Sequence, residues 1–322
     1  MKVLVTGGCG YIGSLLVPKL LSLGHEVRVV DTLWFGSTLS KECELIVGNI
    51  CKFDDKWVSG VDAVIHLAAT SNDPMAEFDP FTNYVINTAA TVAMTHRLRE
   101  KNVNKLVIAS TCSIYGFAHD RIFTEGEPSN PTFPYGISKL LSERAVTCLS
   151  DYRFNPVILR KGTIGGYSPR MRFDLVVNTM TKFGLVKGKI TVNNPDLWRP
   201  IVDVRDVVDA YVCALNKDIG GPFNIIEGNY SILQIATQVA DSLEKLGKNR
   251  PQIDVLNIDD LRSYKASGER AEYVLGFKAK YKIFDTVKSI VERIDSGEIA
   301  NINDKKYYNI DVFKSVGSVF DA

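Results

Sequence analysis

The sequence is short of most features that announce a function at once. Its 38 Lys and Arg stand against 37 Asp and Glu, a net charge of +1. That balance gives no electrostatic case for nucleic acid or a membrane surface as partner. No apolar run approaches the roughly 18 residues that a membrane span needs. The opening Met1-Lys2-Val3-Leu4-Val5-Thr6 runs straight into glycines, without the separate apolar stretch and cleavage site of a signal peptide. Histidine is scarce: His25, His66, His96 and His119. The six cysteines (Cys9, Cys43, Cys51, Cys112, Cys148 and Cys213) form no C-x-x-C pair and stand at zinc-ligand spacing from no histidine. No metal site is expected, and the thiols read as free in a reducing cytoplasm. Low-complexity linkers and internal repeats are also missing.

What is present is an ordinary globular composition, 45% hydrophobic and 23% charged over 322 residues. A chain of that length buries about three quarters of its unfolded surface. Short apolar runs alternate with amphipathic stretches through the first half. Strands are expected at Lys2–Thr6, Glu26–Val30, Leu45–Val47, Ala63–Leu67, Leu106–Ala109 and Pro156–Leu159. Helices are expected at Tyr11–Leu23, closed by Gly24, at Phe81–Glu100 and at Pro134–Ser150. This rhythm predicts an α/β fold, a Rossmann-type doubly wound parallel sheet, over residues 1–165. Beyond it, helices at Phe173–Phe183, Asp203–Leu215, Ile232–Leu246 and Phe284–Ile294 outnumber strands at Gly188–Val192, Pro222–Ile226 and Gln252–Val255. A smaller, mainly substrate-binding region is expected over 166–322, interleaved because segments such as 200–226 return to the first. Pro18 breaks a local rule, since a proline inside a helix costs about 3 kcal/mol or forces a kink. Residues 301–322 are polar with scattered aromatics, a tail expected to pack on the body or on a partner.

Gly7-Gly8-Cys9-Gly10-Tyr11-Ile12-Gly13 follows the first strand and opens the first helix. A glycine pattern alone is weak; a strand before it, a helix after it and an acid about twenty residues on make it a dinucleotide fingerprint. Gly7 permits the tight turn, Gly10 lets a diphosphate approach the backbone, and Gly13 lets the helix pack close. The helix N-terminus offers oriented N–H groups to that phosphate. Asp31 ends the second strand, placed to accept from a ribose diol and to repel a 2′-phosphate. No arginine follows in Thr32-Leu33-Trp34. NAD is therefore expected rather than NADP.

Tyr135 and Lys139 are four residues apart in an expected helix, so they share one face. By itself Tyr-x-x-x-Lys is most often an ordinary solvated face. Beside a dinucleotide site, the ammonium would lower the phenol's pKa and make Tyr135 a general base near neutral pH.

With these motifs together, the chain resembles the extended short-chain dehydrogenase/reductases, the nucleotide-sugar epimerase/dehydratase family, over roughly residues 1–295. Gly7/Gly10/Gly13, with Tyr11 and Ile12 between them, matches the family's cofactor loop. Gly48-Asn49-Ile50 resembles its Gly-Asp-hydrophobic element beside the adenine, with Asn49 in place of the usual Asp. His66-Leu67-Ala68-Ala69 resembles the element behind the nicotinamide ribose. There, Leu67, Ala68 and Ala69 are expected to line the cofactor and His66 to be structural. Ser110-Thr111-Cys112-Ser113-Ile114-Tyr115-Gly116 resembles the active-site strand end. Thr111 would hold the substrate oxygen that Tyr135 deprotonates, and Lys139 would bond the nicotinamide ribose. Cys112 is expected to be a pocket wall rather than a nucleophile.

The family's dehydratases usually carry Asp-Glu straight after the active-site Thr. Here those positions are Cys112-Ser113, which resembles the 4-epimerases. The resemblance thus implies an enzyme, an NAD-dependent nucleotide-sugar 4-epimerase. A 4-dehydrogenase or 4-ketoreductase with net redox is the alternative, a 4,6-dehydratase is further off, and a cofactor-binding regulatory protein further still. It also implies diphosphate contacts from Arg199, Arg262 and Asn178. Ser168-Pro169-Arg170-Met171-Arg172 resembles a subgroup acting on unusual sugars. Lys161-Gly162-Thr163 and Gly165-Gly166-Tyr167 depart from the commoner pattern. A homodimer through Phe81–Glu100 and Pro134–Ser150 is implied by the resemblance alone.

Overall fold

The structure, a computed structural model, describes residues 1–117, 121–256 and 263–316. Seven strands form one parallel sheet: β1 (Lys2–Thr6), β2 (Glu26–Asp31), β3 (Glu44–Val47), β4 (Ala63–His66), β5 (Lys105–Thr111), β6 (Val157–Lys161) and β7 (Gly221–Ile225). Their order is 3-2-1-4-5-6-7, every neighbouring pair parallel. The order reverses between β1 and β4, and at such a switch point a crevice opens outside the strands' carboxyl ends.

The strand sequences are nearly all apolar because helices cover both faces. Val3 and Val5 of β1 face Leu16, Val17, Leu20 and Tyr211 on one side. Leu4 joins Val64, Leu106 and Ile108 against Met94, Leu98 and Val146 on the other. Alternation along the pleat assigns these faces.

A second core lies where the helices Val176–Lys187, Ile232–Lys245 and Ile283–Asp295 pack together. Beside it run the parallel pair Lys189–Asn193 and Gln252–Leu256. A three-stranded sheet of Thr163–Gly165, Trp198–Asp203 and Gly228–Ser231 bridges toward the main sheet. Between these elements the chain goes back to the first core. The helix Val204–Leu215 buries Tyr211 and Val207 there, and β7 then extends the large sheet.

Three local expectations shift. The first helix runs over Gly13–Ser22, and Pro18 lies on its exposed side while Leu16, Val17 and Leu20 are buried. The ring therefore points away from the packing that holds the helix. The expected long helix Phe81–Glu100 is three pieces: Pro80–Tyr84, a π-helical turn Val85–Ala90, and Thr91–Glu100. The wide turn coincides with the buried amides Asn83 and Asn87, which bond across to a neighbouring loop. The tail forms a turn at Lys305–Tyr307 and a helix at Asn309–Val316, packed on the body. No helix among the described residues is long and apolar enough to cross a membrane.

Candidate active site

A cleft of about 720 Å³ crosses the carboxyl ends of the strands, within the roughly 300–1,000 Å³ usual for small-molecule sites. Gly7 follows β1, Asp31 ends β2, Gly48 follows β3, Leu67 follows β4, Thr111 ends β5 and Lys161 ends β6; all six line it. So do Gly10, Tyr11, Ile12, Gly13, Asn49, Ile50, Ala68, Ala69, Tyr135, Lys139 and Arg199.

The glycine loop is shaped by close backbone approach. Gly7 has φ +72°, and a Cβ there would lie 2.6 Å from the Ala68 nitrogen. A Cβ on Gly13 would lie 2.4 Å from the Gly8 carbonyl oxygen. Only glycine tolerates the first conformation, and the second contact leaves no room for a side chain. Asp31 is fixed by two backbone donors, Cys9 N–H at 2.9 Å and Leu33 N–H at 2.8 Å. Burial pushes its carboxyl up, while those two N–H groups and Arg170 pull it back. Asn49 caps the turn after it by accepting from Cys51 N–H at 2.9 Å.

Tyr135 begins the helix Pro134–Cys148, with Pro134 in its first turn. The Thr111 hydroxyl stands beside the phenol in the cleft and favours its ionised form. Thr111 also accepts from Ser113 N–H at 3.1 Å, and Ser113 Oγ lies 3.2 Å from Tyr264 Oη. The expected lowering of the phenol's pKa does not occur. Burial pushes it up and Asp73 adds to the rise, against Arg172 and the Thr111 hydroxyl. Lys139 is not among those influences. It donates instead to the Ala109 carbonyl at 3.1 Å, and burial lowers its own pKa to about 8.

The Tyr135 helix is held by groups that sequence reasoning did not single out. Asn83 donates to the Pro134 carbonyl at 3.1 Å, and Asn87 donates to Asn83 Oδ1 at 2.8 Å and to the Thr70 carbonyl at 3.0 Å. Lower down, Glu143 forms a buried ion pair with Arg160 at 2.7 Å and accepts from the Ser110 hydroxyl. His66 is a brace: its Nδ1 lies 2.6 Å from Thr6 Oγ1 and its Nε2 lies 2.9 Å from Thr91 Oγ1. Burial drives its pKa to about 3, so the ring is neutral.

Two expected residues are placed elsewhere. Asn178 does not line the cleft. It is fully buried, accepting from Gly166 N–H at 2.8 Å and donating to the Arg172 carbonyl at 2.8 Å and to Tyr11 Oη at 3.2 Å. With its amide so engaged, it braces the wall and leaves nothing for a phosphate. Cys112 is no pocket wall either. Its side chain turns away from Thr111 into the core, 3.2 Å from the Arg160 carbonyl, and burial pushes its thiol up. Arg199 does reach the cleft, its guanidinium 5.7 Å from the Tyr264 ring. Arg262 lies outside the described residues.

The facing wall adds Asp73, Lys161, Arg170, Arg172, Asp174, Tyr264 and Asn309. Arg172 grips Asp174 with two bonds of 2.8 and 3.0 Å. Lys161 is buried, its Nζ 3.2 Å from Tyr211 Oη, and burial with the nearby Lys139 charge depresses its pKa. A lysine closing a strand that pairs with β5 next to Thr111 is a signal the sequence held, since it departs from the family pattern. The others carry no local signal. No group of His, Cys, Asp and Glu among the described residues could hold a metal ion.

Residues 3–225 match the family described as NAD dependent epimerase/dehydratase. A UDP-glucose 4-epimerase of Streptococcus mutans is 30% identical, over 90% of this chain and 95% of that protein. A dTDP-D-glucose 4,6-dehydratase of Homo sapiens is 25% identical, over 90% of this chain and 89% of its own. The structure of MoeE5 in complex with UDP-glucose and NAD superposes with a TM-score of 0.79 at 26% identity, covering 92% of this chain and all of that one.

Proposed function

Since the chain belongs to the NAD dependent epimerase/dehydratase family, we propose that it is a nucleotide-sugar 4-epimerase working through a transient 4-keto sugar. NAD is the cofactor, and the residues present fit it. Asp31 is held by two N–H groups where a ribose diol would sit, and the buried donors Trp34 Nε1, Arg170 Nε and Arg170 Nη1 lack partners among the described residues. When bound, NAD takes a hydride from the sugar and returns it, and the positive charge of its oxidised ring favours an ionised phenol nearby.

The rest falls to the chain's own side chains. Thr111 positions the sugar 4-hydroxyl against Tyr135, which removes its proton and gives it back when the ring has turned. Lys139 holds the ribose. Arg199, Asp73 and Tyr264 bound the sugar-nucleotide end, with Arg199 meeting the diphosphate. The single observation that carries the reading is Thr111, Tyr135 and Lys139 lining one cleft with Ser113, not a carboxyl group, bonded to Thr111.

Two further readings are kept. Net oxidation or reduction at C4 uses the same residues. Elimination of water draws support from Asp73, whose charge reaches both Tyr135 and Tyr264. The test is a panel of UDP-, dTDP-, GDP- and CDP-sugars, without added cofactor, followed by mass and NMR. Interconverted epimers of unchanged mass are expected. A product lighter by one water, stoichiometric NADH, or no product at all sinks the epimerase reading.

Within the same proposal, residues 1–165 form the cofactor-binding domain and 166–322 mainly the substrate-binding region. The chain pairs as a homodimer through the helices around 81–100 and 134–148. Phe81 and Leu141, 69% and 43% exposed, support that face. Six unpaired thiols support a cytoplasmic setting.

A further inference from the structure

Arg170 is an anomaly on the cleft wall. It is 94% buried by its 6% exposure, and its guanidinium lies 3.6 Å from the centroid of the Phe35 ring. Only Nη2 is satisfied, donating to Asn309 Oδ1 at 2.6 Å. Nε and Nη1 are buried without a partner among the described residues. Asp174 and Asp31 act on it through space, but among the described residues neither bonds it, and both carboxylate oxygens of Asp174 are bonded by Arg172. A buried cation with free donors is costly, and native structures keep one where an anion or acceptor completes it.

The position says which anion. The Arg170 backbone N–H reaches Ser14 Oγ at 3.4 Å, and Ser14 is in the first turn of the helix Gly13–Ser22. That turn is where the fingerprint places a diphosphate. The guanidinium itself stacks on Phe35 and acts on Asp31 at the end of β2 and on Tyr11 of the glycine loop, so it stands at the cofactor end of the cleft, where the diphosphate is the anion a dinucleotide brings.

Its holder is the C-terminal helix. Asn309 is 4% exposed, donates to Ser71 Oγ at 3.0 Å and to Asp174 Oδ2 at 3.3 Å, and opens the helix Asn309–Val316. Phe313, one turn on, packs 5.8 Å from Trp34 and 6.2 Å from Phe78. Ile310 joins Ile50, Met75 and Ile86. The segment thus lies over the cofactor end of the cleft, and Trp34 Nε1, the other unpartnered donor there, lies beneath Phe313.

We propose that Arg170 clamps the diphosphate of the bound dinucleotide from opposite the glycine loop, and that the C-terminal helix, through Asn309, is the strap that holds the clamp and retains the cofactor. The inference rests on NAD being the bound dinucleotide. The strap would keep the reduced form in place between the two hydride transfers, which a redox-neutral reaction requires.

The test uses the full chain stripped of dinucleotide, with affinities for NAD, NADP and adenosine, melting temperatures with and without NAD, and the rate at which bound NADH fluorescence is lost on chasing with NAD. Arg170→Met should weaken NAD at least tenfold and leave adenosine within twofold. It should also raise the melting temperature of the stripped protein while shrinking the rise that NAD gives. Asn309→Ala should speed NADH loss at least threefold. Unchanged NAD affinity in Arg170→Met overturns the clamp, and a fall for NADP alone reassigns the arginine to a 2′-phosphate. Unchanged NADH loss in Asn309→Ala overturns the strap and stands as the deciding result should Arg170→Met fail to fold. Wild-type protein that binds no dinucleotide would instead sink the cofactor premise itself.

Discussion

The two walls of the cleft are built on different principles. The glycine-loop wall is mostly backbone. Gly7, Gly13 and Asp31 are fixed by contacts to Ala68, Gly8, Cys9 and Leu33, all set at strand ends of one sheet. The facing wall is side chains from remote segments. Arg170 meets Asn309 across 139 residues, Asn72 meets Asp174 across 102, and Asn309 meets Ser71 across 238. The first wall has a shape that survives most side-chain changes but few at glycine. The second is chemically specific, and each residue depends on partners far along the chain. The difference separates a dinucleotide cradle set by backbone from the side chains that close over that cofactor and meet the sugar.

Tyr135→Phe, at the floor where the walls meet, should have the largest effect. Loss of the proton-transferring group should lower kcat by about 10³-fold with NAD content unchanged. A variant that turns over normally would remove Tyr135 from the chemistry and leave the two walls without a shared centre.

Gly13→Ala attacks the backbone wall. Its Cβ would sit 2.4 Å from the Gly8 oxygen, so the loop or the helix must shift. A loss of about 1–3 kcal/mol in denaturant unfolding is expected, together with loss of bound dinucleotide. Full NAD occupancy in this variant would mean the loop adapts more than its geometry allows.

Arg199→Ala attacks the other wall. Removing a guanidinium that meets the sugar nucleotide should raise KM about tenfold, about 1.4 kcal/mol, and leave NAD content and melting temperature unchanged. Loss of NAD from this variant would contradict the placing of Arg199 at the sugar nucleotide.

The smallest effect is a pH tilt. Burial lowers Lys139 to about 8 and lowers Lys161 as well, whereas an unfolded lysine titrates near 10.4. Between those values the unfolded chain binds more protons than the folded one, so stability rises as pH climbs from about 8 toward 10. Lys139→Met should flatten part of that rise in thermal unfolding. An unaltered profile would mean Lys139 keeps its proton in the fold.

The catalytic pair shows how far pattern reading goes and where it stops. Spacing put Tyr135 and Lys139 on one helix face, and both line the cleft. The expected fall in the phenol's pKa is outweighed by burial, with Asp73 adding to the rise, and Lys139 donates to the Ala109 carbonyl. Asn178 and Cys112 failed for the same kind of reason. Each stands at a motif position, and neither position says which way a side chain turns once strand and helix have packed. Asn83 and Asn87 gave no signal at all, being two amides in an apparently ordinary helix.

What the sequence alone determined is the set of features whose physics is local. These are buried strands read from apolar runs, a parallel sheet read from alternation, and a cofactor loop read from three glycines and one acid. What only tertiary structure decided is which remote side chains share one volume. Charge, burial and hydrogen-bond supply at Tyr135, Lys139, Lys161 and Arg170 depend on that volume. A group's pKa and its free donors are properties of its neighbours in space, and neighbours 100 or more residues apart leave no period or spacing in the chain.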